Sequence, residues 1–170
     1  MQAEKIIKIL QKKYRLKTIH EDPFEVLVHV LLSHRTKDTT TFPAQKRLLE
    51  MANTPEKILK LPTRQIEKLI YPVGFYRQKA RRMKQMTKIL LEKFNGSVPH
   101  TREELMQLPG IGPKSASIVL AYGFGVPAIA VDTHVNRISQ RLGWVDGGTK
   151  PEKTQPIVEK LIPKKFHLLA

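Results

Sequence analysis

Residues 108–137 read LPGIGPKSASIVLAYGFGVPAIAVDTHVNR. Within them, Leu108-Pro109-Gly110-Ile111-Gly112-Pro113-Lys114 separates two runs whose apolar residues recur at helical spacing, so it reads as the turn of a helix pair. Gly110 and Gly112 allow the backbone to turn tightly and to come close to another backbone. Pro113 suits the first position of the second helix, where its missing N–H costs nothing. The N–H groups exposed at that helix start point outward and can hold a phosphate. This helix is expected to run from about Pro113 to Tyr122. Asp132 stands 132 − 114 = 18 positions after Lys114, in Ile129-Ala130-Val131-Asp132-Thr133-His134, and reads as the N-cap of a further helix toward Leu142.

Each of these two residues has an ordinary reading and a chemical one. A lysine is usually a solvated charge, and an Asp before a helix is usually only a cap. A nucleophilic lysine must be a neutral amine, a form that an ordinary lysine adopts about once in a few thousand at pH 7. A helix N-terminus, neighbouring cations and partial burial favour the neutral form, and a nearby carboxylate opposes it. A carboxylate at position 132 can stabilise positive charge that develops on a sugar ring as a glycosidic bond breaks.

Outward from this segment the helical spacing continues, and no segment alternates with period two. Ile6, Ile9, Leu10 and Tyr14 mark a first helix, and Phe24 to Leu32, broken only by Glu25 and His29, a buried central one. Pro43 suits the first turn of a third helix carrying Leu48, Leu49 and Met51. Thr54-Pro55-Glu56 and Pro62-Thr63 open short helices through Leu61 and Ile70. Phe75 to Phe94 is the longest helix, stopped by Asn95-Gly96. Thr101 to Glu104 is a capping box for a helix ending at Leu108, and Thr149 to Glu152 has the same spacing for a last helix near Leu161. About ten helices and no strands make an all-α protein.

Lys and Arg number 30 against 15 Asp and Glu in 170 residues, a net charge of +15, which calls for an acidic partner. Nucleic acid is the first candidate and an anionic membrane surface the second. The basic residues gather in Lys12–Lys17 and in Arg77–Lys84, RQKARRMK, and the second cluster reads as a phosphate-contacting surface. Aromatic residues make up only 6%, which argues against a base-stacking sheet. The absence of cysteine excludes disulfide scaffolds, thiol catalysis and Cys-ligated zinc or iron–sulfur clusters. No apolar run is long enough to span a bilayer, and MQAEKIIKIL does not read as a signal peptide, so a cytoplasmic, nucleoid-associated protein is expected.

These strings resemble the helix–hairpin–helix plus Gly/Pro–Asp loop signature of DNA glycosylases, above all the endonuclease III branch, which removes oxidised pyrimidines. LLSHRTKD (31–38), VGFYRQKA (73–80) and NGSVP (95–99) look like that branch in its order and spacing, and the resemblance runs from Phe24 to about Phe166. It implies a two-lobed helical fold. A barrel lobe of 22–130 would contain the helix–hairpin–helix at 101–122, and a second lobe would join 1–21 to 131–170. Double-stranded damaged DNA is the implied partner of a monomer, with the damaged nucleotide flipped into a cleft between the lobes. Lys114 matches the family's nucleophile and Asp132 its essential carboxylate, which implies a bifunctional glycosylase and AP lyase working through a Schiff base and β-elimination.

Further positions carry over by their place in the motifs. Ser33, Asp38 and His134 match residues near the base pocket, although His134 reads equally as a packed structural histidine. Val73 and Phe75 match the loop that fills the space left by the flipped base. Gly110, Ile111 and Gly112 match the hairpin that grips phosphate, in relatives often with a monovalent cation. Arg35, Arg77 and Lys79 complete the expected DNA contacts. Two departures stand out. Where relatives usually place a glutamine to fill the orphaned position, the chain has His34 and Arg35. The four cysteines that bind a [4Fe–4S] cluster in most members are missing, so no cofactor is expected; the chain reads as a cluster-less form or a truncated one, the latter leaving Leu168 and Leu169 exposed. A mismatch-specific or oxidised-purine glycosylase and a catalytically inert DNA-binding remnant remain as alternatives.

Overall fold

The computed structural model describes residues 3–13 and 21–169. Tyr14, residues 15–17 of the first basic cluster, and the side chains of Leu168 and Leu169 lie outside the described residues. Among the described residues there are ten α-helices, a π-helical turn at Val119–Gly123, a 3-10 turn at Lys164–Leu169 and no strand. None of the described helices is long and apolar enough to cross a membrane.

Helix α2 (Pro23–Ser33) is the axle of the larger core. Val26, Leu27, Val28, Val30, Leu31 and Leu32 are all buried, so the helix is apolar nearly all round and must be wrapped on every side. The π-helical turn, α3 (Asp38–Met51), α6 (Tyr76–Phe94) and α8 (Pro113–Ile118) pack directly on it, and α4 (Pro55–Lys60), α5 (Thr63–Ile70) and α7 (Arg102–Leu105) pack in turn on those helices. They contribute Leu48, Ile58, Ile66, Ile70, Met83, Met86, Leu90, Leu105 and Ala116 to the same cluster. Each large apolar side chain so buried stabilises the fold by about 1.5–3 kcal/mol relative to exposure.

A smaller core gathers the two ends of the chain. Ala3 and Ile7 of α1 (Ala3–Lys13) pack with Ile129, Val131, Phe166 and with Val158 and Ile162 at the end of α10 (Pro151–Leu161). Val135 of α9 (Thr133–Arg141) and Trp144 close over it. A polar network joins the two cores. The buried Gln155 amide donates to Ser117 Oγ at 2.6 Å and to the Ile129 carbonyl at 3.0 Å. Glu159, one turn later, accepts from Arg102 at 2.6 Å. These bonds fix α10, and through it α9, against the hairpin helices α7 and α8.

Several boundaries differ from their sequence signals for identifiable reasons. The third helix begins at Asp38, so Pro43 lies inside it. Its missing N–H falls opposite the carbonyl of Thr39, an exposed residue whose oxygen can be solvated. Helix α7 stops at Leu105, and turn bonds from Met106, Gln107 and Leu108 carry the chain to Leu108. Thr149 does not cap α10, which starts at Pro151 after Lys150; its carbonyl instead accepts from Asn136 and Gln140, each at 2.9 Å. On α1, Ile9 and Leu10 are exposed, and the buried stripe is Ala3 and Ile7, four apart.

Burial pushes the Glu159 carboxyl up, but bonds from Arg102, Gln155 and the Ile129 N–H outweigh it and hold it below the ordinary carboxylate range. A folded value below the unfolded one adds stability that is present above about pH 4.5 and lost as pH falls through the folded value. Glu159→Ala should therefore cost about 2 kcal/mol, roughly 4–8 °C in Tm at pH 7. Thermal melts of the two proteins from pH 7 down to pH 3 should show this difference shrinking.

Candidate active site

Two elements bring the site together. Gly110 takes φ +88°, and a Cβ there would come within 2.9 Å of Leu31 Cδ1, so both conformation and space require glycine. At Gly112 a Cβ would meet nothing within 4 Å, so its backbone faces open space rather than a packed neighbour. The Ile111 side chain turns the other way, into the core, and its N–H donates to the Leu108 carbonyl at 3.1 Å. Of the hairpin's expected contact residues, Ile111 thus anchors the turn rather than facing outward.

Pro113 opens α8 and places Lys114 on its first turn. Asp132 caps α9: its Oδ1 accepts from the N–H groups of His134 and Val135, both at 2.9 Å. That leaves Oδ2 toward Lys114, whose Nζ donates to it at 3.3 Å. Burial pushes the Asp132 carboxyl up, but the Val135 N–H, the Lys114 ammonium and the His134 N–H outweigh it. The carboxyl sits below its ordinary value and is a carboxylate at neutral pH. The cap and the ion pair thus share one side chain, one oxygen each.

Lys114 borders three cavities, the smallest of which, about 230 Å³, lies along Gly112, Glu152 and Gln155; the two larger ones differ in lining. The first, of about 560 Å³, is walled by cations: Arg35, Arg82 and Lys114, with His34, Gln78 and Phe75. His34 bonds through Nε2 to Ser115 Oγ at 2.9 Å, and burial, then Lys79, Arg82 and Lys114, hold its imidazole below the ordinary value. The second, of about 460 Å³, is lined by Ser33 and Asp38 from the expected pocket, and also by Glu21, His29, Phe42 and Tyr122. His134 lines neither cavity and is not packed; it is exposed on the first turn of α9, with Nδ1 3.1 Å from Arg137. Among the described residues no three His, Asp or Glu side chains come together as a metal site.

The basic cluster of α6 divides sharply. Arg77 and Arg81 are exposed, and Arg82 turns into the first cavity. Lys79 is only 4% exposed, and its ammonium donates to the Leu32 and His34 carbonyls, both at 2.6 Å, and to Thr36 Oγ1 at 3.1 Å. Thr36 Oγ1 also accepts from the Gly74 N–H at 3.1 Å. Lys79 is therefore a clamp between the turn after α2 and the loop before α6, not a phosphate contact. Lys84 likewise donates to the carbonyls of Leu59 and Leu61 at the end of α4. Val73 is 1% exposed and belongs to the core, so the expected wedge falls to Phe75, 60% exposed.

The clamp also holds strain. Arg35 at φ 51° and Phe75 at φ 57° adopt the left-handed conformation without being glycine, which costs about 1–2 kcal/mol each. Both side chains border the first cavity. A cation inside RQKARRMK gives no sequence signal that it is internal, whereas His29 does give one, by interrupting an otherwise apolar helix.

Burial, and then Arg82, push the Lys79 ammonium down from the ordinary 10.5 to about 8. Between these values the unfolded chain binds more protons, so the contribution of Lys79 to stability rises with pH. Lys79→Met strands the Leu32 carbonyl, leaves the His34 carbonyl with only Thr36 Oγ1, and should cost about 2–4 kcal/mol, with Arg77→Ala within about 0.5 kcal/mol of wild type. Urea melts at pH 8 and pH 10 should show the Lys79→Met deficit widening.

Comparison with known proteins places these features in a wider group. Residues 28–164 match the family described as HhH-GPD superfamily base excision DNA repair protein. The chain is 45% identical over 161 residues to the endonuclease III of Thermotoga maritima, covering 95% of this chain and 75% of that protein. It superposes on a solved non-covalent endonuclease III–DNA complex with a TM-score of 0.90 at 37% identity, over 99% of this chain and 80% of that one. A trapped endonuclease III–DNA covalent intermediate gives a TM-score of 0.87 at 38% identity, over 97% of this chain and 78% of that one.

Proposed function

We infer the activity from one premise: the chain belongs to the HhH-GPD superfamily of base excision DNA repair proteins. It is a DNA glycosylase and AP lyase of the endonuclease III kind, acting on oxidised pyrimidines in duplex DNA. The observation that carries this reading is the Lys114–Asp132 pair, 3.3 Å apart, whose lysine borders both larger cavities.

In this reading Lys114 first gives up its ammonium proton to water, and the freed lone pair of its nitrogen forms a bond to the sugar C1′. The bond from C1′ to the base breaks, and its electron pair leaves with the base, which then takes up a proton. The attached nitrogen then loses a proton, and its electron pair forms the C1′=N bond as the C1′–O4′ bond breaks. O4′ takes up a proton, so the sugar ring is opened and a Schiff base joins C1′ to Lys114. Loss of a proton from C2′ then expels the 3′ phosphate, which is the strand break. Asp132 Oδ2 stabilises the positive charge on the sugar during the first step, while Oδ1 keeps its two N–H donors. The carboxylate therefore acts without releasing the helix it caps.

The surroundings suit duplex DNA. Arg35, Arg82 and Lys114 give the first cavity the charge to hold phosphates, and Gly112 leaves the hairpin backbone open to a phosphate from outside. Phe75 stands ready to fill the space of an extruded nucleotide, with Arg35 beside it for the orphaned partner base. These 170 residues contain no cysteine, so they offer no thiolate to the [4Fe–4S] cluster usual in relatives, and no step runs through one.

Borohydride trapping on two labelled duplexes, one with thymine glycol and one with an abasic site, tests the reading. Wild type should be trapped on both. Lys114→Ala should lose both adducts and all nicking while still binding DNA; undiminished nicking would sink the assignment. Asp132→Asn keeps a good cap and should slow base excision by about 10²–10³-fold. Tight binding with no adduct from the wild type would instead identify an inert DNA-binding remnant.

A further inference from the structure

The two larger cavities beside Lys114 differ in chemical character. The first presents cations, whereas the second has the carboxylates of Glu21 and Asp38 together with the rings of Phe42 and Tyr122. Two carboxylates repel a phosphate but not an uncharged heterocycle. A base turned out of a duplex needs such a room, with faces to stack on and polar groups at its edge.

His29 lines this room, and its tautomer is set by a relay of hydrogen bonds. The Gln45 amide donates to the Glu25 carbonyl at 3.0 Å, which turns Gln45 Oε1 toward His29 Nδ1 at 2.7 Å. An amide oxygen only accepts, so Nδ1 carries the hydrogen and Nε2 of the uncharged ring is an acceptor. No hydrogen bond among the described residues engages that Nε2. Phe42, 57% exposed, lies against the imidazole with ring centroids 4.7 Å apart and fixes its tilt.

We propose that His29 is a specificity-determining residue, whose Nε2 accepts a hydrogen bond from a ring N–H of the extruded pyrimidine. The proposal rests on the glycosylase reading above and narrows it. The favoured lesions are those derived from thymine and uracil, which carry an N–H at N3 between two carbonyls. Cytosine-derived lesions present a bare N3 there, lone pair against lone pair, and are disfavoured. Phe42 is a positioning residue for the same contact.

The test is single-turnover excision by the full chain from duplexes carrying thymine glycol, its N3-methyl analogue or 5-hydroxycytosine, with nicking of a preformed abasic site alongside. Wild type should excise thymine glycol about tenfold faster than the N3-methyl analogue, the weight of one hydrogen bond. His29→Ala should excise thymine glycol about tenfold more slowly, lose its sensitivity to N3-methylation, and nick the abasic duplex within about twofold of wild type. Phe42→Ala, at an exposed position, should show the same selective loss in milder form and guards against misfolding of the His29 variant. Wild-type excision rates in both variants, or an N3-methyl penalty that survives in His29→Ala, would overturn the proposal and leave the glycosylase reading intact. A wild type that neither excises nor nicks would overturn both.

Discussion

The chemistry of this protein hangs on one carboxylate that performs two tasks at once. Asp132 Oδ1 satisfies two N–H groups at the start of α9, which would otherwise be unpaired, and Oδ2 faces Lys114. Because the cap fixes χ1 and χ2, the free oxygen cannot wander, and the lysine meets a preorganised charge rather than a mobile one. The separation is set at a distance from both residues. Gln155 and Glu159 of α10 reach Ser117, Ile129 and Arg102, so the two cores cannot slide without breaking bonds to partly buried groups.

The large positive charge conceals a division of labour that counting cannot reveal. Lys79, Lys84 and Arg47 spend their donors on backbone carbonyls at helix ends and turns, where they act as fasteners. Arg35, Arg82 and Lys114 line the cation-walled cavity instead. Lys79 links the two groups, because the turn it clamps carries His34 and Arg35 and the loop it meets carries Phe75. A burial-weakened ammonium thus holds two strained residues where the cavity needs them.

Much of this was legible in the sequence where local chemistry decides the outcome. The caps at Thr54, Thr101 and Asp132, the stop at Asn95, the apolar run of α2 and the glycine turn at 110 all follow from residue type and spacing. Lys114 and Asp132 were marked by their places at two helix starts. What escaped depends on contacts far apart in the chain. Lys79 reaches residues 43 to 47 positions away, and nothing near it distinguishes it from Arg77. Thr149 has the spacing of a cap, yet its carbonyl is taken by α9 and the helix begins later. Val73 and Ile111 stand in motifs that resemble ligand-bordering ones, but each is an apolar residue with a core within reach.

In the proposed reaction the nucleophile must handle both a sugar–phosphate backbone and an uncharged base, a sorting problem, since one electrostatic environment cannot favour both. Here the sorting follows from where Lys114 sits. On one side the turn after α2 and helix α6 contribute guanidinium groups, and on the other α3 and the residues before α2 contribute Asp38 and Glu21. In the proposed reading a phosphate is drawn toward the arginines and turned away from the carboxylates, so the backbone and the base of one nucleotide go to different cavities beside the amine. In that reading C1′, the atom joining them, comes to lie beside the lysine. Positioning of this kind is a gain in effective concentration, obtained from charges fixed by the fold before the substrate arrives.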